Sequence, residues 1–225
     1  MLFRDYKTSE TLMQSLASTV EVELSNAIKN RGLATFVVPG GTTPKPFFNI
    51  IRDSDIEWEK ITIFPTDERW VSMENSRSNA RLIQRELLTG RASKANFVTL
   101  YKKNKTLDQG ASLLAENISN YLPIDVLVLG MGVDMHTASL FPGSPGLALA
   151  QSMNAAEVVP VTPLDNSLEP RVTLSARVLE KAVNTHVLII GLEKKNAVKE
   201  AEKREPASAP ISQFLPNATV HWSPV

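Results

Sequence analysis

Apolar positions along the chain fall into two kinds of pattern. Leu12, Leu16, Val20, Leu24 and Ile28 recur every four residues, with Met13, Ala17 and Ala27 beside them. That spacing lines one face of a helix over residues 11–30, and Gly32 stops it. Residues 77–88 suit a second helix, and Leu107, Ala111, Leu114, Ala115 and Ile118 mark a third. The other pattern is the short, almost wholly apolar run: "ATFVV" from Ala34, the start of "ITIFPTDERW" from Ile61, which reads as one strand ending in charged residues, "DVLVLG" from Asp125 and "HVLIIG" from His186. Runs of this length fit strands buried on both faces of a parallel sheet. "ATVHW" near the C-terminal end predicts one more strand. Strands alternating with helices predict an α/β layered fold with a mostly parallel sheet. No repeat or linker divides the chain, so residues 1–225 are expected to form a single domain. Residues 144–170 are irregular and contain prolines, and read as a surface excursion.

Each of the four apolar runs leads into polar chemistry. The first leads into Gly40-Gly41-Thr42-Thr43-Pro44, and the second into Asp67-Glu68-Arg69. The third leads into the loop from Gly130 to His136, and the fourth into Gly191–Lys194. If the strands are parallel, their C-terminal ends share one rim of the sheet, where open α/β sheets bind ligands. In "PGGTTP" the glycines allow close backbone approach. Thr43 is expected to cap a helix whose first residue is Pro44, with its free N–H groups aimed at an anion such as phosphate. It is neither a Walker loop nor a G-x-G-x-x-G loop, and a plain tight turn would look the same. Arg69 could pair with phosphate or hold a carboxylate, and Asp67 could bind sugar hydroxyls or orient a side chain. A surface ion pair at a strand end is the bland alternative. Lys194, in the first turn of a helix, opposes the helix dipole, which makes sense beside an anionic ligand. An exposed lysine is its plain alternative. Arg171 is a further candidate cation.

His136 is one of three histidines. A loop histidine near neutral pH is the commonest general base. Asp134 is near enough to orient its imidazole or to compete for its proton. The alternative is a turn residue bonding locally. Thr137 and Ser139 read as helix-starting residues, and no G-x-S-x-G elbow would activate Ser139. His186 and His221 read as structural. The three histidines lie far apart without metal-ligand spacing, so no metal is expected.

Bulk composition narrows the classes. Lys plus Arg equals Asp plus Glu, 24 each, so no net field recruits nucleic acid or anionic membrane. The chain has no cysteine, which excludes disulfides and thiolate nucleophiles. "MLFRDYKTSE" lacks the apolar core of a signal peptide, and no apolar stretch approaches the ~20 residues of a bilayer span. A soluble, cytoplasmic protein is expected, monomeric or weakly homo-oligomeric, with no nucleic-acid or membrane partner.

In order along the chain, "VVPGGTTP", "PTDERWV", "SNARLI", "LGMGVDMHTASLFPG", "EPRVTLS" and "GLEKK" resemble the motifs of the 6-phosphogluconolactonase family, the short bacterial type related in fold to glucosamine-6-phosphate isomerase/deaminase. The resemblance covers nearly the whole chain. It implies a three-layer α/β/α, Rossmann-like fold and hydrolysis of a phosphosugar lactone, 6-phospho-D-glucono-1,5-lactone, to 6-phosphogluconate in the pentose phosphate pathway, with no metal or organic cofactor. It implies His136 as the base that activates water, and it implies Gly40, Gly41, Thr42, Arg69, Arg171 and Lys194 as positions lining the phosphosugar site. Asp67 and Asp134 stand as further catalytic candidates from their place beside these clusters, and Thr43 and Asn79 as further binding candidates, Asn79 through the match of Ser78-Asn79 to a family Ser-Asn pair. Two positions depart from the family pattern: Met135 stands where glycine usually precedes the histidine, and Pro39 where serine often opens the first loop. Met135 is expected to keep the loop out of a glycine-only conformation.

The chemistry agrees independently of the resemblance. A δ-lactone is a reactive ester, so one base, one water and cations near the developing oxyanion suffice. One rival is an amino-sugar-phosphate isomerase/deaminase, which needs a base for proton transfer between carbons and a group that opens the ring. The other is a non-catalytic sugar-phosphate sensor. Such sensors usually carry a DNA-binding module, and the segment before Ala34 leaves no room for one.

Overall fold

The capped helix at the start of the chain sets one layer of the structure. In the computed structural model, which describes residues 1–163 and 168–225, a short strand β1 (Leu2–Asp5) precedes helix α1 (Ser9–Arg31). Thr8 caps α1 with a reciprocal bond to Thr11, and Gly32 ends it at φ 80° with its N–H on Ile28 O. The apolar stripe from Leu12 to Ile28 is buried throughout. Strand β2 (Ala34–Val38), helix α2 (Lys45–Ile51), strands β3 (Ile61–Pro65) and β4 (Asp67–Arg69), helix α3 (Asn79–Glu86) and strand β5 (Asn96–Phe97) follow. Then come helix α4 (Leu107–Ser119), strand β6 (Val126–Gly130), helix α5 (Leu147–Gln151), and strands β7 (Val158–Val161) and β8 (Arg171–Leu174). Helix α6 (Ala176–Glu180), strand β9 (Asn184–Ile190), helix α7 (Leu192–Ala201) and strand β10 (Ala218–Ser223) complete the order.

Seven strands form one sheet in the order β1-β10-β9-β6-β2-β3-β5, and all its pairings are parallel. The apolar runs feed both of its faces. Phe36, Val38, Ile61, Ile63, Val126, Val128 and Leu188 pack toward α1, α2 and α3. Val37, Phe64, Leu127, Leu129, Val187 and Ile189 pack toward α4, α6 and α7. Each such fully buried side chain contributes about 1.5–3 kcal/mol relative to exposure. The result is the expected three-layer, Rossmann-like α/β arrangement.

Several expectations need correction. "ITIFPTDERW" is not one strand. The ladder with β2 runs to Thr66, whose N–H bonds Val38 O at 2.9 Å, and beyond it Asp67–Arg69 leaves the main sheet to pair antiparallel with Thr173–Arg171. With β7 this makes a second, three-stranded sheet, β4-β8-β7. Residues 144–170 are therefore not simply irregular, since they supply α5 and β7, whose Val158 and Val159 are buried. Residues 164–167 of that stretch lie outside the described residues. Edge strands β1 and β5, four and two residues long, carry no run long enough to read in the sequence. No helix of the described residues is long and apolar enough to cross a membrane.

The two remaining histidines serve the fold. His186 Nε2 meets the Glu23 carboxylate at 2.8 Å, and since a carboxylate only accepts, Nε2 carries the proton. His186 Nδ1 then accepts from His221 Nε2 at 3.1 Å, and His221 Nδ1 accepts from the Tyr6 hydroxyl at 3.0 Å. Burial first, and then the neighbouring His186 and Arg4, push His221 down to about 3, so it is uncharged near neutrality.

Candidate active site

The strand order fixes where the site must lie. From β2 the chain steps outward through β3 to β5, then returns to the other side of β2 with β6 and steps outward again through β9 to β10. The crossover between β2 and β6 opens a crevice at the C-terminal ends of the strands. A cavity of ≈ 320 Å³ occupies that crevice, walled by the loop after β2 (Gly40–Thr43), the β3–β4 junction (Thr66, Asp67, Arg69), the loop after β6 (Gly130–Gly132, His136, Ala138), Arg171 of β8 and Lys194 of α7. The four strands whose polar ends were expected to share a rim are neighbours in the sheet, and all four contribute to the wall.

In the loop after β6, His136 Nδ1 lies 2.6 Å from Asp134 Oδ1. The carboxylate can only accept, so Nδ1 is the protonated nitrogen and Nε2 is left as the acceptor. Among the described residues Nε2 has no hydrogen-bond partner. Gly132 makes this pairing possible. A Cβ there would stand 2.2 Å from Asp134 Oδ1 and 2.4 Å from His136 Nδ1. The loop closes on itself through Gly132 N–H to His136 O at 3.0 Å and Met135 N–H to Gly132 O at 3.0 Å. Met135 has φ 68°, in the left-handed region. The expectation that Met135 keeps the loop out of the glycine-favoured conformation is thus overturned. The turn is held instead by those bonds and by Ile211 N–H on Met135 O at 3.1 Å. A non-glycine residue there costs on the order of 1 kcal/mol, which the surrounding contacts must offset.

Thr137 and Ser139 do not start a helix. Thr137 Oγ1 donates to Gly130 O at 2.8 Å and closes the loop, while Ser139 Oγ donates to Asp67 Oδ2 at 2.5 Å. Ser139 is fully buried and absent from the cavity wall, so it cannot meet a substrate. Asp67 is engaged on both oxygens, with the Thr66 hydroxyl 2.9 Å from Oδ1. Arg171 Nη1 lies 3.9 Å from Asp67 Oδ2, and the Arg171 guanidinium sits 5.1 Å above the Phe141 ring. Burial pulls the Arg171 guanidinium down while Asp67 holds it up. Phe141 in turn packs against the His136 ring, centroids 4.8 Å apart.

Glu68, next to Asp67, points the other way. It is fully buried and accepts from Arg69 N, Ser78 Oγ, Asn79 N and Ala80 N at 2.7–3.0 Å. Burial pushes its carboxyl up, and these four donors pull against that shift. Glu68 thereby clamps the start of α3 and places Asn79, whose Nδ2 donates to Asp67 O at 2.8 Å. Asn79 lies directly against Gly40, where a Cβ would come within 2.0 Å of Asn79 Oδ1. The sequence offered Glu68 as one more charge in "TDERW"; its role needed the pairing with α3.

The glycine loop departs from expectation at one point. Phe48 N–H bonds Pro44 O, so Pro44 occupies the cap position, α2 starts at Lys45, and Thr43 caps nothing. The Thr42 and Thr43 hydroxyls make no hydrogen bond among the described residues and remain free on the cavity wall. Lys194 is half-buried in the first turn of α7, as expected, and burial alone pushes its ammonium down. Arg69 donates to Arg77 O at 2.5 Å, and both its Nε and that of Arg171 are buried without a partner among the described residues. The cavity therefore gathers Arg69, Arg171 and Lys194 against one carboxylate, Asp67. Every residue expected at the site lines this cavity except Asp134, which reaches it through His136. Among the described residues no group of three or more His, Asp or Glu side chains could hold a metal ion.

The chain is similar to known proteins over nearly its whole length. The family model for glucosamine-6-phosphate isomerases/6-phosphogluconolactonase matches residues 7–222. The chain is 36% identical to a 6-phosphogluconolactonase of Rhizobium meliloti, over 97% of each chain. It is 38% identical to one of Pseudomonas aeruginosa, over 94% of this chain and 90% of that one. A crystal structure of a 6-phosphogluconolactonase from Shewanella baltica superposes with a TM-score of 0.94 at 35% identity, over 99% of this chain and 97% of that one.

Proposed function

The chain belongs to the glucosamine-6-phosphate isomerase/6-phosphogluconolactonase family as a hydrolase, and we propose that it hydrolyses 6-phospho-D-glucono-1,5-lactone to 6-phospho-D-gluconate in the oxidative branch of the pentose phosphate pathway. The observation that carries the reading is the His136–Asp134 pair, whose 2.6 Å bond fixes the proton on Nδ1 and leaves Nε2 as a base beside three cations. In the reaction Nε2 takes a proton from water as the water oxygen attacks the lactone carbonyl. Negative charge then develops on the carbonyl oxygen. Arg171, which shares the Phe141 ring with His136, is the cation we assign to that charge. Collapse of the tetrahedral intermediate breaks the ring C–O bond, and the imidazolium returns its proton to the departing ring oxygen. Asp134 stabilises the imidazolium between the two transfers. No covalent nucleophile is required.

The phosphate would lie against Gly41, Thr42, Thr43 and Lys194. Lys194 has no carboxylate partner among the described residues, so a dianion would offset the cost of its burial. Asp67 has both oxygens engaged by hydroxyl donors, which leaves it poorly placed to abstract a carbon-bound proton. That supports hydrolysis over the isomerase/deaminase reading.

The test couples glucose-6-phosphate dehydrogenase to freshly formed lactone and measures decay above the spontaneous rate. The wild-type chain should accelerate decay, and His136→Ala should lose about 10²–10⁴-fold of that acceleration while still binding 6-phosphogluconate. A near-normal rate in that variant would remove His136 as the base. Ammonia release from glucosamine 6-phosphate without lactone hydrolysis would establish the isomerase/deaminase instead.

A further inference from the structure

His136 and Arg171 come from different sheets, and the stretch from His136 to Phe141 is what joins them. His136 rides on the loop after β6, whereas Arg171 opens β8 of the antiparallel sheet. Ser139, at the middle of that stretch, donates its hydroxyl to Asp67 Oδ2 at 2.5 Å. The same carboxylate oxygen faces Arg171 Nη1 at 3.9 Å. Ser139 is itself held from behind, because its N–H donates to Thr173 Oγ1 of β8 at 3.4 Å. The turn that delivers it is left-handed at Ala138, φ 49°.

The 3.9 Å gap is the informative distance. A guanidinium and a carboxylate that are both buried would normally close to ~2.8 Å and form direct, often bidentate bonds. Here they do not, and Arg171 keeps a buried Nε with no partner among the described residues. The carboxylate's hydrogen bonds come instead from two hydroxyls, Thr66 on Oδ1 and Ser139 on Oδ2. If Ser139 lost its hydroxyl, Oδ2 would be buried, bare and next to a guanidinium. The least costly repair is for Arg171 and Asp67 to close the gap, which draws the guanidinium off Phe141 and away from the reacting carbonyl.

We propose that Ser139 is a positioning residue: its hydroxyl anchors Asp67 Oδ2, holds that carboxylate back from Arg171, and so leaves the guanidinium available to the substrate's developing oxyanion. This rests on the lactone-hydrolase reading for its kinetic consequence, but the geometric claim stands independently of substrate.

Ser139→Ala should lower kcat for lactone hydrolysis by about tenfold to a hundredfold, with KM within about threefold of wild type. Ser139→Thr, which restores the hydroxyl, should recover most of the loss. In parallel, the Arg171 Nε–H resonance of the ligand-free protein, assigned through an Arg171→Lys variant, should shift in Ser139→Ala and return in Ser139→Thr. Ser139→Cys is nearly isosteric with a much weaker donor, and should lose kcat in the same direction if the alanine variant fails to fold. A lowered melting midpoint with unchanged kcat in every folded variant would make Ser139 merely structural and overturn the proposal. An unmoved Arg171 Nε–H signal would also overturn it. A wild-type chain without lactone hydrolysis would sink the functional reading, while the Arg171 signal would still decide the role of Ser139.

Discussion

Gly132→Ala tests how closely the base is positioned. The added methyl would stand 2.4 Å from His136 Nδ1, 2.5 Å from His136 Cε1 and 2.2 Å from Asp134 Oδ1. Ordinary contact begins at 3.4 Å, so the imidazole must withdraw by 3.4 − 2.4, about 1 Å, and the carboxylate by slightly more. Backbone strain does not enter, because Gly132 is absent from the positive-φ glycines. Asp134 is largely exposed and can swing into solvent, but the His136 ring is confined by Phe141 at 4.8 Å. A 1 Å displacement of a reacting group costs about 10²-fold in rate, or about 2.7 kcal/mol of barrier. We expect kcat to fall by about that factor, KM to stay within about threefold because no cation is touched, and the thermal midpoint to move by a few degrees at most. The coupled lactone assay gives kcat and KM, and a fluorescence melt gives the midpoint. A variant with wild-type kcat and an unchanged melt would show that the Gly132 gap does not position the base.

Two further outcomes follow from Lys194 on the cavity wall and from the buried His221. Lys194→Ala should raise KM by about ten- to a hundredfold, the worth of one charge-assisted bond to phosphate, with kcat nearly unchanged. Inorganic phosphate should inhibit the variant correspondingly more weakly, and lowered kcat at constant KM would instead put Lys194 at the carbonyl. The second concerns acid stability. His221 is pushed down to about 3 in the folded protein, below the ordinary value of 6.5, so the unfolded chain takes the proton first as pH falls. Stability from this site is therefore intact above about pH 6.5 and is lost toward pH 3, at up to about 1.4 kcal/mol per pH unit. Urea melts between pH 7 and pH 4 should show that slope reduced in His221→Gln, and an identical slope in the variant would refute the assignment.

Much of the site was legible along the chain, and particular residues show why. The stripe from Leu12 to Ile28, the apolar runs of β2, β3, β6 and β9, and the glycines that end them are local signals of period and composition. A parallel sheet with both faces covered brings the ends of those four runs to one rim, so Gly40–Thr43, Arg69, His136 and Lys194 could be grouped before any contact was known. Arg171 was singled out by its flanking motif, although its strand was not read.

Long-range pairing decided the rest. Asp67 and Ser139 are 72 residues apart, and nothing in either segment's pattern reveals that one hydroxyl will satisfy the other's carboxylate. Glu68 looked like a surface charge because its four donors come mainly from the start of α3, ten and more residues away. Thr43 had the right residue type for a cap, but the helix ladder begins at the Pro44 carbonyl. Met135 was expected to hold the loop out of the left-handed region, yet contacts from Gly132 and Ile211 put it there. The sequence by itself determined which strands are buried and which polar residues crown them, because hydrophobic period and turn chemistry act over a few residues. The tertiary structure alone decided which nitrogen of His136 is free, how far Arg171 stands from Asp67, and which buried polar groups satisfy one another, because those depend on angstrom-scale distances between segments that the chain brings together only on folding.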